Sequence, residues 1–179
     1  MGIDDIIDQL RTAADRPDFG PDDAVATLAS ALASGTDWLD ARYRRMPDGE
    51  DSALYPLHRD PGGRFSVIAA VFRPGFPATV HDHGTWAVIG VLSGVERETW
   101  FERDGDGPLF ERRRFESAGG SVRLVPDGAI HTVEALGDAD AVSVHVYGAD
   151  ILSQERSAFD PATGDERPYE PTPTEVVGD

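Results

Sequence analysis

"PGFPATVHDHGTWAVIGVLSG", residues 74–94, sets two histidines one residue apart between Gly75 and Gly94, and no carboxylate follows them within the segment. His81 and His83 lie in a strand-like stretch, where a side-chain period of two puts both on one face. They can therefore bind a single ion. The chain has no cysteine, so a metal here must be held by imidazole or carboxylate.

Outward from this segment the texture differs on the two sides. From Tyr55 onward, short runs rich in Val, Phe, Trp and Ile alternate with turn signals such as "DPGG", "DGDG", "AGG" and "PDG", a pattern that predicts an antiparallel sandwich or barrel. Strands are expected at 65–72, 78–82, 86–92, 95–103, 108–117, 121–125, 129–134 and 141–147. A hairpin-like turn follows in "SAFDPATGDERPYEP". Before Tyr55 the spacing is helical: Ile3, Ile6, Ile7 and Leu10 share one stripe, Pro21 suits the first turn of a second helix ending at Gly35, and "TDWLDARYRRM" reads as a third. The expected organisation is one structural domain: a helical segment over 1–50 packed on a mainly β barrel over 51–170, with a disordered tail at 171–179.

The 179 residues, 40% of them hydrophobic, suffice for one core. No apolar run nears the ~18 residues that span a bilayer, and the acidic N-terminus is unlike a signal peptide; a soluble, cytoplasmic protein is expected. The net charge is −17, and all 16 basic residues are arginine. Such a surface repels nucleic acid and anionic membranes. Arg112, Arg113 and Arg114 sit beside Glu111 and Glu116 and read as a solvated strand face. A lysine-free acidic composition fits either a high-salt source or a GC-rich genome.

The glycine frames carry a resemblance. Gly75, His81, His83 and Gly94, followed by Gly120, Pro126, Gly128 and His131, resemble the two motifs of the cupin superfamily, although Ala87 and Ala135 stand where the usual cupin has Glu and often Asn. The resemblance implies a double-stranded β-helix (jelly-roll) barrel in which His81, His83 and His131 converge on one metal. Three neutral imidazoles suit iron, copper, nickel or zinc and leave positions open. They also leave the +2 charge uncompensated, which favours an anionic ligand such as a thiolate.

"AVSVHVYG", residues 141–148, alternates Val142, Val144 and Val146 with Ser143, His145 and Tyr147. The second row faces either solvent or a polar lumen; facing inward, it forms a relay from Ser to imidazole to phenol. S-x-H-x-Y after a three-histidine cupin site is similar to the thiol dioxygenases, the cysteine dioxygenase and 3-mercaptopropionate dioxygenase family. That likeness implies Fe(II) on the three histidines, a small thiol carboxylate and O2 as partners, a sulfinate product, and the relay as catalytic residues. No tyrosine–cysteine crosslink is possible. The carboxylate-binding arginine of cysteine dioxygenases, two residues after a tyrosine, is replaced by Leu57 after Tyr55. In the 3-mercaptopropionate branch it follows the relay tyrosine by nine residues, which is Arg156, although pairing with Glu155 or Asp150 on the surface is the other reading. Trp86 and Tyr55 complete the expected substrate contacts. Two alternatives stand beside this one: a three-histidine cupin oxygenase acting on a non-thiol chelating substrate, and a metal-dependent cupin that binds a small acid without turnover.

Overall fold

The structure is a computed structural model and describes residues 2–175. Two helices open the chain, α1 (Ile3–Ala14) and α2 (Pro21–Ala33). Each begins at a glycine N-cap followed by acidic residues in the first turn, where they complement the helix dipole. The third expected helix is only a 3-10 turn, Ala41–Arg44. Asp40 caps Arg42 N–H, and Arg44 donates to the carbonyls of Leu39 and Thr36, so side chains compete for the backbone groups a longer helix would use.

Ten strands follow: β1 (Ser52–Arg59), β2 (Ser66–Phe72), β3 (Ala87–Ser93), β4 (Val95–Arg103), β5 (Leu109–Ala118), β6 (Val122–Val125), β7 (Ile130–Leu136), β8 (Ala141–Tyr147), β9 (Ser157–Phe159) and β10 (Glu166–Pro168). They form a five-stranded sheet in the order β1-β2-β8-β3-β6, a three-stranded sheet β5-β4-β7, and the hairpin β9-β10. Every neighbouring pair is antiparallel. This is the jelly-roll sandwich expected from the regularly spaced short strands, with the helices on one side.

The helices cover the outer face of the five-stranded sheet. Ile6, Leu10, Leu28 and Leu32 pack against Val67, Val71, Val144 and Val146 in one apolar cluster. At about 25 cal/mol per Å2 of apolar surface, this layer supplies much of the fold's driving force. Because β2 and β8 are buried along their whole length, both faces of each strand lie inside protein, and the row opposite the valines must line the lumen between the sheets.

The expected strand 78–82 is present only as isolated bridges, His81 pairing with both His131 and Ala158. The segment divides its backbone bonds between two neighbours, Ala78 and His81 donating to β7 and Asp82 to Ser157 of β9, so no continuous ladder forms. Thr174 is tied to β1: its N–H donates to Leu54 C=O at 2.7 Å and its Oγ1 accepts from Leu54 N–H at 2.9 Å. Residues 176–179 lie outside the described chain. Among the described residues no helix is long and apolar enough to cross a membrane.

An ion pair between buried Asp60 and half-buried Arg64 pins the β1–β2 turn to the helical layer. Asp60 accepts from Arg64 Nε and Nη2, both at 2.8 Å, and from the Gly62 and Arg64 amides. Arg64 in turn reaches the Ala14 carbonyl. Arg64 holds the Asp60 carboxyl down to about 2. The carboxyl ionises more readily folded than unfolded, so its stabilisation is complete above the unfolded value of about 4 and is lost as pH falls through the folded one. Asp60→Asn should cost about 2–3 kcal/mol at pH 7, and urea melts should show the gap to wild type shrinking to about half by pH 3.

Candidate metal centre

His81 and His83 come from the segment ahead of β3, and His131 from β7. The backbone brings them together directly: His81 and His131 exchange both N–H···O=C bonds at 2.9 Å. All three rings are buried. His83 Nε2 lies 3.2 Å from His81 Nε2 and 3.2 Å from His131 Nε2. Two nitrogens each about 2.0–2.1 Å from one ion, at an angle between 90 and 110°, stand ~2.8–3.4 Å apart.

The other ring nitrogens decide what fills that space. His81 Nδ1–H donates to the Thr79 carbonyl at 2.7 Å, and His131 Nδ1–H to Glu98 Oε1 at 2.8 Å. The Nε2 lone pairs therefore face one another, an arrangement that a shared cation relieves. Burial, reinforced by the neighbouring His131, pushes His81 and His83 well below their ordinary values, so both stay neutral and competent as ligands. The donor set fits a borderline divalent metal.

The row Ser143, His145 and Tyr147 faces this lumen, which decides between the two orientations left open by the sequence. Ser143 Oγ lies 2.8 Å from His145 Nε2, and His145 Nδ1 3.1 Å from the Tyr147 hydroxyl. In the tautomer with the proton on Nδ1, the Ser143 hydroxyl donates to Nε2 and His145 Nδ1–H donates to the phenol oxygen. The Tyr147 proton is then left to point into the cavity. Burial, then the Arg123 charge, pushes His145 down to about 3, and burial raises the Tyr147 phenol. Both members of the relay are neutral. The Tyr147 ring packs edge-on to His83, centroids 5.1 Å apart. Its cross-strand neighbour Ala87 lies in the same inner cluster, and its small side chain leaves room for the phenol.

A cavity of about 330 Å3 joins the histidines, His145 and Tyr147 to Arg156 and Tyr169. Arg156 lies over the Tyr169 ring at 5.3 Å, and the Tyr169 amide donates to the Arg156 carbonyl at 2.9 Å. The surface pairing left open for Arg156 is not made: Asp150 is taken by Arg59, and among the described residues no carboxylate pairs with Arg156. A larger, shallower groove of about 890 Å3 lies beyond Arg156 and Tyr169 but contains none of the three histidines. Gly84 sets the loop spacing here. A Cβ on it would meet the Glu155 carbonyl at 2.4 Å, and its φ is +60°, a region glycine adopts without strain.

Two expected substrate contacts lie elsewhere. Tyr55 points from β1 to the helical side, its hydroxyl donating to Arg45 C=O at 2.8 Å and its ring against Tyr43; its strand neighbour Leu54 faces the cavity instead. Trp86 packs against Phe19 and over Gly148, where a Cβ would lie 2.3 Å from its ring. The strand period that carries Ala87 inward turns Trp86 out. Tyr55→Phe should cost about 1 kcal/mol in a thermal melt and leave KM for any substrate unchanged.

Tyr169, Glu96, Glu98 and Arg123 were not anticipated. Tyr169 stacks 4.7 Å from His81, although it sits in a stretch that reads only as a turn. Glu96 and Glu98 are completely buried and both pair with Arg123. The one available signal was their shared parity on β4.

No family model matches the chain. Among solved structures, an oxalate oxidase in complex with the substrate analogue glycolate superposes with a TM-score of 0.50 and 18% identity, over 66% of this chain and 61% of that one. Oxalate decarboxylase of Bacillus subtilis, studied for its Mn(II) centres, aligns with a TM-score of 0.48 and 25% identity over 57% of this chain. The chain spans about 27% of the length of that decarboxylase. The oxidase likeness bears on the fold alone. Together with the strand topology, it makes the fold a jelly-roll β-sandwich with N-terminal helices, carrying in its lumen a three-histidine cluster able to hold a metal ion.

Proposed function

We propose that the protein is a thiol dioxygenase that oxidises a small mercapto acid with O2 to the sulfinate, using Fe(II) held by His81, His83 and His131. The observation that carries this reading is the relay of Ser143, His145 and Tyr147 ending in the same cavity as the three histidines and Arg156. Bound iron would supply sites for the thiolate and for O2 and pass electrons between them.

The chain's own residues do the rest. Arg156 takes the substrate carboxylate, its planar fork matching both oxygens. Tyr147 presents a fixed hydroxyl proton to the reacting atoms, held by His145 so that it does not turn away. Phe72, Leu54 and Val133 line the wall and exclude water, which strengthens each polar contact inside. Nucleic acid and anionic membranes are poor partners for a chain of net charge −17.

The test is O2 uptake by anaerobically Fe(II)-loaded protein with 3-mercaptopropionate, cysteine, cysteamine, mercaptosuccinate, and oxalate as a non-thiol acid, with sulfinate quantified. Sulfinate formed in proportion to O2 consumed, from the thiols alone, supports the assignment. O2 uptake with oxalate but no thiol would overturn it.

A further inference from the structure

We propose that Glu98, pinned by Arg123, is a positioning residue for the metal site: it fixes the ring of His131 and places a negative charge directly behind that ligand. The three histidines are not equivalent. His81 gives its Nδ1 proton to a neutral carbonyl, His83 Nδ1 is buried with no partner among the described residues, and of the three only His131 Nδ1 meets a carboxylate there. A carboxylate acceptor makes the imidazole a stronger donor through its other nitrogen and locks the tautomer that frees Nε2.

Glu98 is itself fixed on every side. One oxygen accepts from His131 and from Trp100 Nε1; the other accepts from Arg123 Nε. Arg123 Nη2 donates to Glu96 at 2.6 Å. The buried group thus carries two carboxylates against one guanidinium, all on the lumen side of the barrel. This revises the expectation that the site leaves the metal's charge uncompensated. The ligand shell stays neutral and open, while a charge one hydrogen bond behind it offsets part of the metal's own.

The inference rests on the metal site, not on the identity of the substrate, and the experiment separates the two. Chelator-stripped protein is titrated with Co(II) against a chromophoric competitor, for wild type, Glu98→Gln, Glu98→Asp and Glu96→Gln, with thermal melts of each metal-free form. Glu98→Gln should weaken Co(II) binding about 10–100-fold, and Glu96→Gln, which keeps the His131 bond, about threefold or less. Glu98→Gln within threefold of wild type overturns the proposal, as does equal loss in both Gln variants, which would mean bulk charge alone acts. Wild type that takes up no Co(II) overturns the metal site itself. Should the Glu98 variants not fold, 15N-histidine spectra of the metal-free wild type read the tautomer directly. A proton on His131 Nδ1 is expected, and one on Nε2 overturns the proposal.

Discussion

If the protein works as the proposed thiol dioxygenase, Tyr147→Phe should leave metal binding unchanged and lose about 10²–10⁴ in turnover, the usual span for removing a positioned proton donor. The substitution takes away one oxygen and leaves the ring in its cluster with Ile68, Ala87 and Ile89. Stability should fall by no more than about 1.5 kcal/mol. Metal content should not change, because the ligand rings are oriented from elsewhere: His81 by the Thr79 carbonyl, His131 by Glu98. Single-turnover kinetics on Fe(II)-loaded protein, with metal stoichiometry measured alongside, check both halves. Ser143→Ala should have a smaller effect, about tenfold, since His145 still reaches the phenol and loses only the bond that sets its tautomer. Turnover of the Phe variant within threefold of wild type would remove Tyr147 from the reaction.

The alternation in residues 141–147 was legible because one row is all valine. An apolar row demands a core, and the helices at the N-terminus, themselves readable by their 3.6 spacing, supply it. Once Val142, Val144 and Val146 face the helices, Ser143, His145 and Tyr147 have nowhere to go but the lumen. The histidines were legible for a related reason: two ligands one residue apart share a face whatever the rest of the barrel does. Glu96 and Glu98 offered no such lever. On β4 both rows are polar, Arg97 and Thr99 on one side and the two glutamates on the other, so periodicity states which residues travel together but not which side is buried. The answer came from Arg123, 25 residues after Glu98 and on the opposite sheet, a pairing that only the closed sandwich creates. Tyr55 and Trp86 went the other way. Each is adjacent in sequence to a residue that does face the lumen, and a single step along a strand reverses the face.

The same single-step logic bears on Arg156, which sits in no regular element and owes its place to its contacts. Its carbonyl accepts from Tyr169 and its guanidinium covers the Tyr169 ring, while Asp150, the acid near it in sequence, is occupied by Arg59. A guanidinium in the cavity wall, unpaired with any carboxylate among the described residues, is the group that the carboxylate of the proposed mercapto acid would meet. Arg156→Ala should therefore lower kcat/KM about 10²-fold for 3-mercaptopropionate, the loss expected when one partner of a partly buried charge pair is removed. It should fall chiefly on KM, since the carboxylate is held equally before and during reaction at sulfur. Cysteamine, which has no carboxylate, should lose no more than about threefold. Arg156→Lys should recover little, because an ammonium on a flexible stem neither forks onto two oxygens nor stacks flat on Tyr169. An equal loss with cysteamine would mean that the substitution disturbs the Tyr169 strap over His81 rather than removing a substrate contact. A net charge of −17 disfavours the approach of a carboxylate, so a small acid that reaches this cavity depends on local positive charge for its binding, and among the described residues lining the cavity Arg156 is the cationic side chain placed to supply it beside the three histidines.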